Sequence, residues 1–95
     1  MKVRFTWDEQ KAANNLQKHG VSFAEAQTVF NNLLAVLFDD EVHSASERRE
    51  IIIGLSARNR LILVCFTEQG GIVRIINARC ATPKERRDYE ENTGY

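Results

Sequence analysis

Three small groups of residues in this 95-residue chain have types that hold anions or move protons. The first is Lys18-His19-Gly20, a lysine and a histidine in front of a helix-stopping glycine. Held rigidly, such a pair grips a phosphate or moves a proton, since histidine titrates near neutral pH. The same two cations also suit plain capping of a helix C-terminus. The second group is Glu47-Arg48, and the third is Arg74 with Arg79 in a late, otherwise apolar run. A guanidinium inside such a run needs a partner, and a pair with Glu47 or Glu50 is the purely structural alternative. One carboxylate, several arginines and a Lys-His pair together suit metal-independent RNA cleavage. A base takes the ribose 2′-OH proton, arginines offset the charge building on five-coordinate phosphorus, and an acid protonates the leaving 5′-oxygen. Spacing alone permits this chemistry without specifying it, and it requires the groups to meet at one open hollow.

The acidic run Asp39-Asp40-Glu41 with His43 invites a metal-site reading. Adjacent carboxylates on an extended chain point to opposite sides, and no EF-hand spacing surrounds them, so no metal and no cofactor is expected. Cys65 and Cys80 have no CxxC or Cys/His spacing and read as a buried small hydrophobe and an incidental thiol.

The elements that must position these groups are legible. Ile51-Ile53, Leu61-Thr67 and Ile72-Arg79 are three runs rich in β-branched residues. Gly70-Gly71 supplies a tight hairpin between the last two, and Asn59 tolerates a left-handed turn between the first two. The result is an antiparallel meander whose middle strand is apolar on both faces and so needs cover on both. By simple alternation Arg74 lies on the face of Ile76 and Ala78, whereas Arg79 goes with Ile75 and Asn77. Both reach one ligand only if Arg79 falls where the strand is ending.

Upstream, Val3, Phe5 and Trp7 alternate with polar residues as a short strand that pairs with the meander. Thr6 and Glu9 form the expected capping box of a helix through His19, stopped by Gly20. Ser22 and Glu25 start a second helix with the stripe Phe23, Ala26, Val29 and Phe30, and Leu34-Phe38 reads as another strand. Thr82-Pro83-Lys84-Glu85 begins a third helix to about Glu91, whose one large apolar side chain, Tyr89, suggests a loosely held or partner-dependent element. The fold class is α+β: two N-terminal helices packed on a mostly antiparallel sheet, with a short C-terminal helix.

With 43% hydrophobic and 27% charged residues and one proline, the composition is that of a soluble globular protein, and residues 1–95 read as a single domain. The amino terminus lacks the apolar stretch of a secretory signal, and the longest apolar run, Leu61–Phe66, is too short to span a bilayer, which points to the cytoplasm and to no membrane partner. Formal net charge is zero, but its distribution is uneven. Residues 1–50 carry −2, residues 51–87 carry +5 and residues 88–95 carry −3. An anionic ligand on the meander is consistent with this, as is a merely solvated face.

Several blocks carry a family likeness: Phe5-Thr6-Trp7-Asp8, Lys11-Ala12, Asn15, Lys18-His19-Gly20-Val21-Ser22-Phe23, Glu25-Ala26, Val29-Phe30, His43, Glu47-Arg48, Gly54, Arg74-Ile75-Ile76-Asn77-Ala78-Arg79, Ala81-Thr82, Glu85-Arg86 and Tyr89-Glu90. Over almost its whole length the chain resembles the BrnT toxins of bacterial type II toxin–antitoxin systems. The resemblance implies a RelE-like fold and a ribonuclease that arrests translation. It also implies a BrnA-like antitoxin, whose DNA-binding part lets the complex repress its own operon, so that DNA is reached only indirectly. By motif position, Lys18, His19, Glu47, Arg48, Arg74 and Arg79 are the residues expected to bind and cut RNA. Asn77 stands where serine is common and Cys80 where a basic residue is common, which lightens the positive surface. The other reading is a catalytically degenerate toxin-fold module that acts only as an antitoxin partner in repression. An antitoxin segment is a candidate cover for the sheet face left open by the two helices.

Overall fold

The computed structural model describes residues 3–41 and 47–93. The described residues form five strands and three helices, in the order β1 (Arg4–Thr6), α1 (Glu9–His19), α2 (Phe23–Thr28), β2 (Val36–Asp39), β3 (Glu50–Leu55), β4 (Leu61–Gln69), β5 (Ile72–Cys80) and α3 (Pro83–Thr93). A single 3-10 turn, Val29–Asn31, prolongs α2. The sheet order is β1-β5-β4-β3-β2. Strands β2 to β5 form the antiparallel meander, and β1 joins its free edge in parallel, Arg4 beside Ile72 and Thr6 beside Arg74.

The turns follow from their residues. Gly70 and Gly71 both have positive φ, as a tight hairpin between β4 and β5 requires, and Asn59 takes the left-handed conformation between β3 and β4. Gly54 has a different reason to be glycine: a Cβ there would meet the Ala35 Cβ at 2.9 Å and a Val29 methyl at 3.2 Å, so the chain leading into β2 packs directly on the β3 backbone.

Helix α1 starts two residues later than the Thr6 cap expected from sequence. Asp8 is the N-cap, its carboxylate accepting from the Lys11 N–H at 3.0 Å. With Asp8 as N-cap, Glu9 is the first helical residue and not the third, so it closes no box with Thr6; its carboxylate accepts the Trp7 indole N–H at 2.6 Å. Ser22 caps α2 as expected, accepting from the Glu25 N–H. The Glu25 carboxylate, however, turns inward: it binds the Arg60 guanidinium through both oxygens and accepts the Ser56 hydroxyl at 2.7 Å. The Arg60 hydrogen bond, ahead of the opposing effect of burial, holds Glu25 below the usual carboxylate range. This pair, buried on the Glu25 side, ties α2 to the β3–β4 turn.

Helices α1 and α2 cover one sheet face. Val21, Phe23, Ala26 and Val29 pack on Ile52, Ile62, Val64, Phe66, Val73, Ile75 and Ala78, and Phe30 meets Phe5 and Phe66 edge to face. The opposite face is covered by α3. Tyr89, 8% exposed, packs on Ile53, Leu61 and Leu63. The expectation of a loosely held α3 is corrected by this contact and by its capping box, in which Glu85 N–H donates to the Thr82 hydroxyl and Thr82 N–H to the Glu85 carboxylate. A single well-placed aromatic ring supplies the apolar area that the rest of the helix lacks. No described helix is long and apolar enough to cross a membrane.

Candidate functional site

Strand β1 pairs with β5 only as far as Arg74, so the edge of β5 from Ile76 onward has no strand neighbour. Asn15 of α1 fills that place. Its amide NH2 donates to the Ala78 carbonyl at 2.8 Å and to the Val21 carbonyl at 2.9 Å, and its oxygen accepts the Ala78 N–H at 3.1 Å. One buried side chain thus satisfies both backbone groups of Ala78 in place of a neighbouring strand. It also locks α1 to β5, and therefore fixes Lys18 and His19, three and four residues on, against Arg79.

Between α1 and this edge lies an open hollow of about 360 Å³ walled by Lys11, Asn14, Lys18, His19, Asn77 and Arg79, with Asn15 and Ile76 beneath. Its lining holds four basic side chains and no carboxylate. Arg79 is held in place by a bidentate pair with Glu85, at 2.7 and 2.8 Å, and these hydrogen bonds pull the Glu85 carboxyl down to about 2. Asn77 and Arg79 also line a second hollow of about 330 Å³ on the α3 side of the sheet, with Asp40, Arg49 and Glu85 at its rim and Ile51, Leu63 and Cys65 as floor.

Arg74 and Arg79 lie on one face, which corrects the alternation expected from sequence. Cys65 pairs with Asn77 and Phe66 with Ile75, leaving Ile76 as the extra residue of a β-bulge. Beyond it the parity of β5 is reversed. Arg74 opposes Thr67, Asn77 opposes Cys65 and Arg79 opposes Leu63, all side chains of one β4 face. Ile75 and Ala78, three apart, accordingly both enter the core under α1 and α2.

The six expected site residues fall into three places. Lys18, His19 and Arg79 share the basic hollow. Arg74 pairs with Glu47 at 2.6 Å, both side chains about half exposed (42% and 43%), further along the same face as Arg79. Arg48 pairs with Asp39 at 2.8 Å on β2, three strands from β5, or about 14 Å at normal strand spacing. Of the groups expected to meet at one hollow, Lys18, His19 and Arg79 do so, whereas Arg74 and Glu47 stand apart from it. His43 of the acidic run lies outside the described residues, and Asp39 of that run is the partner of Arg48.

Residue type and spacing single out for chemistry neither Asn14, Asn77 and Glu85 nor Lys11 and Asn15, which the structure brings to these hollows. Asn15 carried a signal, since asparagine in a helix interior is unfavourable unless its amide is used elsewhere. Glu85 was legible as a cap but not as the partner of Arg79.

The sequence pattern of a family described as "Ribonuclease toxin, BrnT, of type II toxin-antitoxin system" matches residues 7–85. Among solved structures, the 1.1 Å crystal structure of the Brucella abortus ribonuclease toxin BrnT is similar, with TM-score 0.67 and 27% identity, over 85% of this chain and 99% of that one. A comparison with curated proteins gave no significant match.

Proposed function

Because the chain belongs to the BrnT family of ribonuclease toxins of type II toxin–antitoxin systems, we propose that it cuts RNA by metal-independent acid–base catalysis and so arrests translation. One domain, residues 1–95, does this in the cytoplasm until a BrnA-like antitoxin neutralises it, and DNA is met only through that antitoxin. The observation that carries this reading is the hollow in which Lys18, His19 and Arg79 meet with no carboxylate in its lining.

A scissile phosphate in this hollow is held by Lys18 and by Arg79, whose guanidinium offsets the charge gained at five-coordinate phosphorus. His19 donates a proton to the departing 5′-oxygen. Glu47 is the base. Arg74 and Arg79 oppose β4 residues four apart, or about 13 Å, so Glu47 reaches the 2′-OH only when RNA draws Arg74 away and the segment carrying Glu47 swings toward the hollow. The 2′-oxygen then bonds to phosphorus as the P–O5′ bond breaks, leaving a 2′,3′-cyclic phosphate and a 5′-hydroxyl. Arg48 contacts RNA outside the reacting centre.

One observation favours a second reading. Glu47, Arg48, Arg74 and Arg79 all stand in ion pairs within the chain, as suits a degenerate module that only pairs with an antitoxin in repression. Cleavage of RNA by purified protein in EDTA separates the two. Arg79→Ala and His19→Ala are each expected to lower the rate by about 10²–10³. Cleavage that survives loss of both Arg74 and Arg79 overturns the mechanism. Expression without the antitoxin gives growth arrest with RNA decay for the enzyme, and unaffected growth for the module.

A further inference from the structure

We infer that α1 is a track for the RNA backbone, in which Lys11, with Asn14 beside it, holds a phosphate upstream or downstream of the one at Lys18. This rests on the ribonuclease reading of the hollow and extends it to the length of RNA the protein engages. Lys11, Asn14 and Lys18 recur at helical spacing on one face of α1, and all three line the same hollow along the open edge of β5.

From Lys11 to Lys18 the helix axis advances about 10 Å at 1.5 Å per residue. At the ~3.4 Å per nucleotide of a strand in a B-form duplex, this length corresponds to about three nucleotide steps, and to fewer in a more extended single strand. Asn14, between the two lysines, offers a neutral amide donor for the backbone passing over it.

The position of Lys11 separates this from an ordinary solvated helix face. It stands in the first turn of α1, at the positive end of the helix dipole, where a cation costs rather than adds stability. Among the described residues it forms no ion pair that would offset this cost. The nearby acids are committed elsewhere: Asp8 caps the helix and Glu9 holds the Trp7 indole. A lysine that is unfavourable for the helix and faces a carboxylate-free hollow is placed for an external anion.

The test is binding of 2′-O-methyl RNA oligonucleotides, which cannot be cut, followed by fluorescence anisotropy across a range of salt concentrations. Lys11→Ala is expected to weaken binding of a hexanucleotide about 5–10-fold at low salt. It should also reduce the slope of log affinity against log salt by about 0.7, the share of one phosphate contact on a single strand. Lys11→Arg should restore both. The affinity ratio of wild type to Lys11→Ala should fall as the oligonucleotide is shortened to a dinucleotide, which cannot span from Lys18 to Lys11. Thermal unfolding of the variant should be unchanged or slightly raised, because the dipole penalty is relieved. Wild-type affinity and slope in Lys11→Ala, or a loss that is the same at every length, overturns the track while leaving the ribonuclease intact. A wild-type protein that neither binds nor cuts RNA overturns the ribonuclease reading and the track together.

Discussion

Arg74 and Arg79 lie on the same face of the sheet although they are five positions apart, an odd step that an unbroken strand would send to opposite faces, because Ile76 is bulged out of the β4–β5 ladder. The consequence is one continuous face that carries the Arg74–Glu47 pair, Asn77 and the Arg79–Glu85 pair in sequence along β5. Without the bulge, one of the two arginines would point into the apolar core beneath α1 and α2, where a guanidinium is costly unless paired.

Glu47→Gln separates chemistry from support on this face. The Arg74 pair is about half exposed, so its loss should change stability by less than about 1 kcal/mol. Single-turnover cleavage by the variant should nonetheless fall by about 10² or more if Glu47 takes the 2′-OH proton. Cleavage at the wild-type rate would leave Glu47 only the task of restraining Arg74.

Asn15→Ala should be among the most damaging single changes. It strips partners from the Ala78 N–H, the Ala78 carbonyl and the Val21 carbonyl, all within a buried contact between α1 and β5. At about 1–3 kcal/mol for a buried group left unsatisfied, with partial relief by water, a loss of about 2–4 kcal/mol is expected in urea unfolding. Asn15→Asp should also destabilise, because a carboxylate accepts from the Ala78 N–H but donates to neither carbonyl.

Acid should loosen α3. Glu85 falls from its ordinary 4.5 to about 2 in the folded chain, chiefly through the Arg79 hydrogen bonds. A depressed carboxyl stabilises fully above about pH 4.5, and this contribution is lost as pH falls from there through 2. Glu85→Gln should therefore be less stable at pH 7 and show a smaller further loss between pH 4.5 and 2. Chemical denaturation at a series of pH values measures both.

The two cysteines should differ in reactivity. Burial is the main reason that the Cys65 thiol is pushed up to about 11, with Asp40 adding to the effect, whereas Cys80 is exposed. Alkylation of the native protein at pH 8 should add one group, at Cys80, by peptide mass spectrometry, and a second only on unfolding.

Much of the architecture is written locally. The Gly70-Gly71 hairpin, the left-handed Asn59, the Ser22 cap and the Thr82–Glu85 box are each decided by a few neighbouring residues, and the structure has all of them. The cap of α1 lies at Asp8 and not at the expected Thr6 for an equally local reason, since the Asp8 carboxylate is the one placed to accept the Lys11 N–H. The hold on α3 is not written locally, because the pocket for Tyr89 is made by Ile53, Leu61 and Leu63, far from it in the chain.

The chain by itself determined the elements, their order, the apolar faces and the residue types available for work on RNA, since periodicity, turn chemistry and capping act over a few residues. Tertiary structure alone decided which of those residues meet. Counting parity along β5 presumes an unbroken ladder, and the bulge at Ile76 exists only through the pairing with β4. Asn15 reaches Ala78 across 63 positions, Arg74 reaches Glu47 across 27, and such partners are chosen by packing in three dimensions, not by spacing in one.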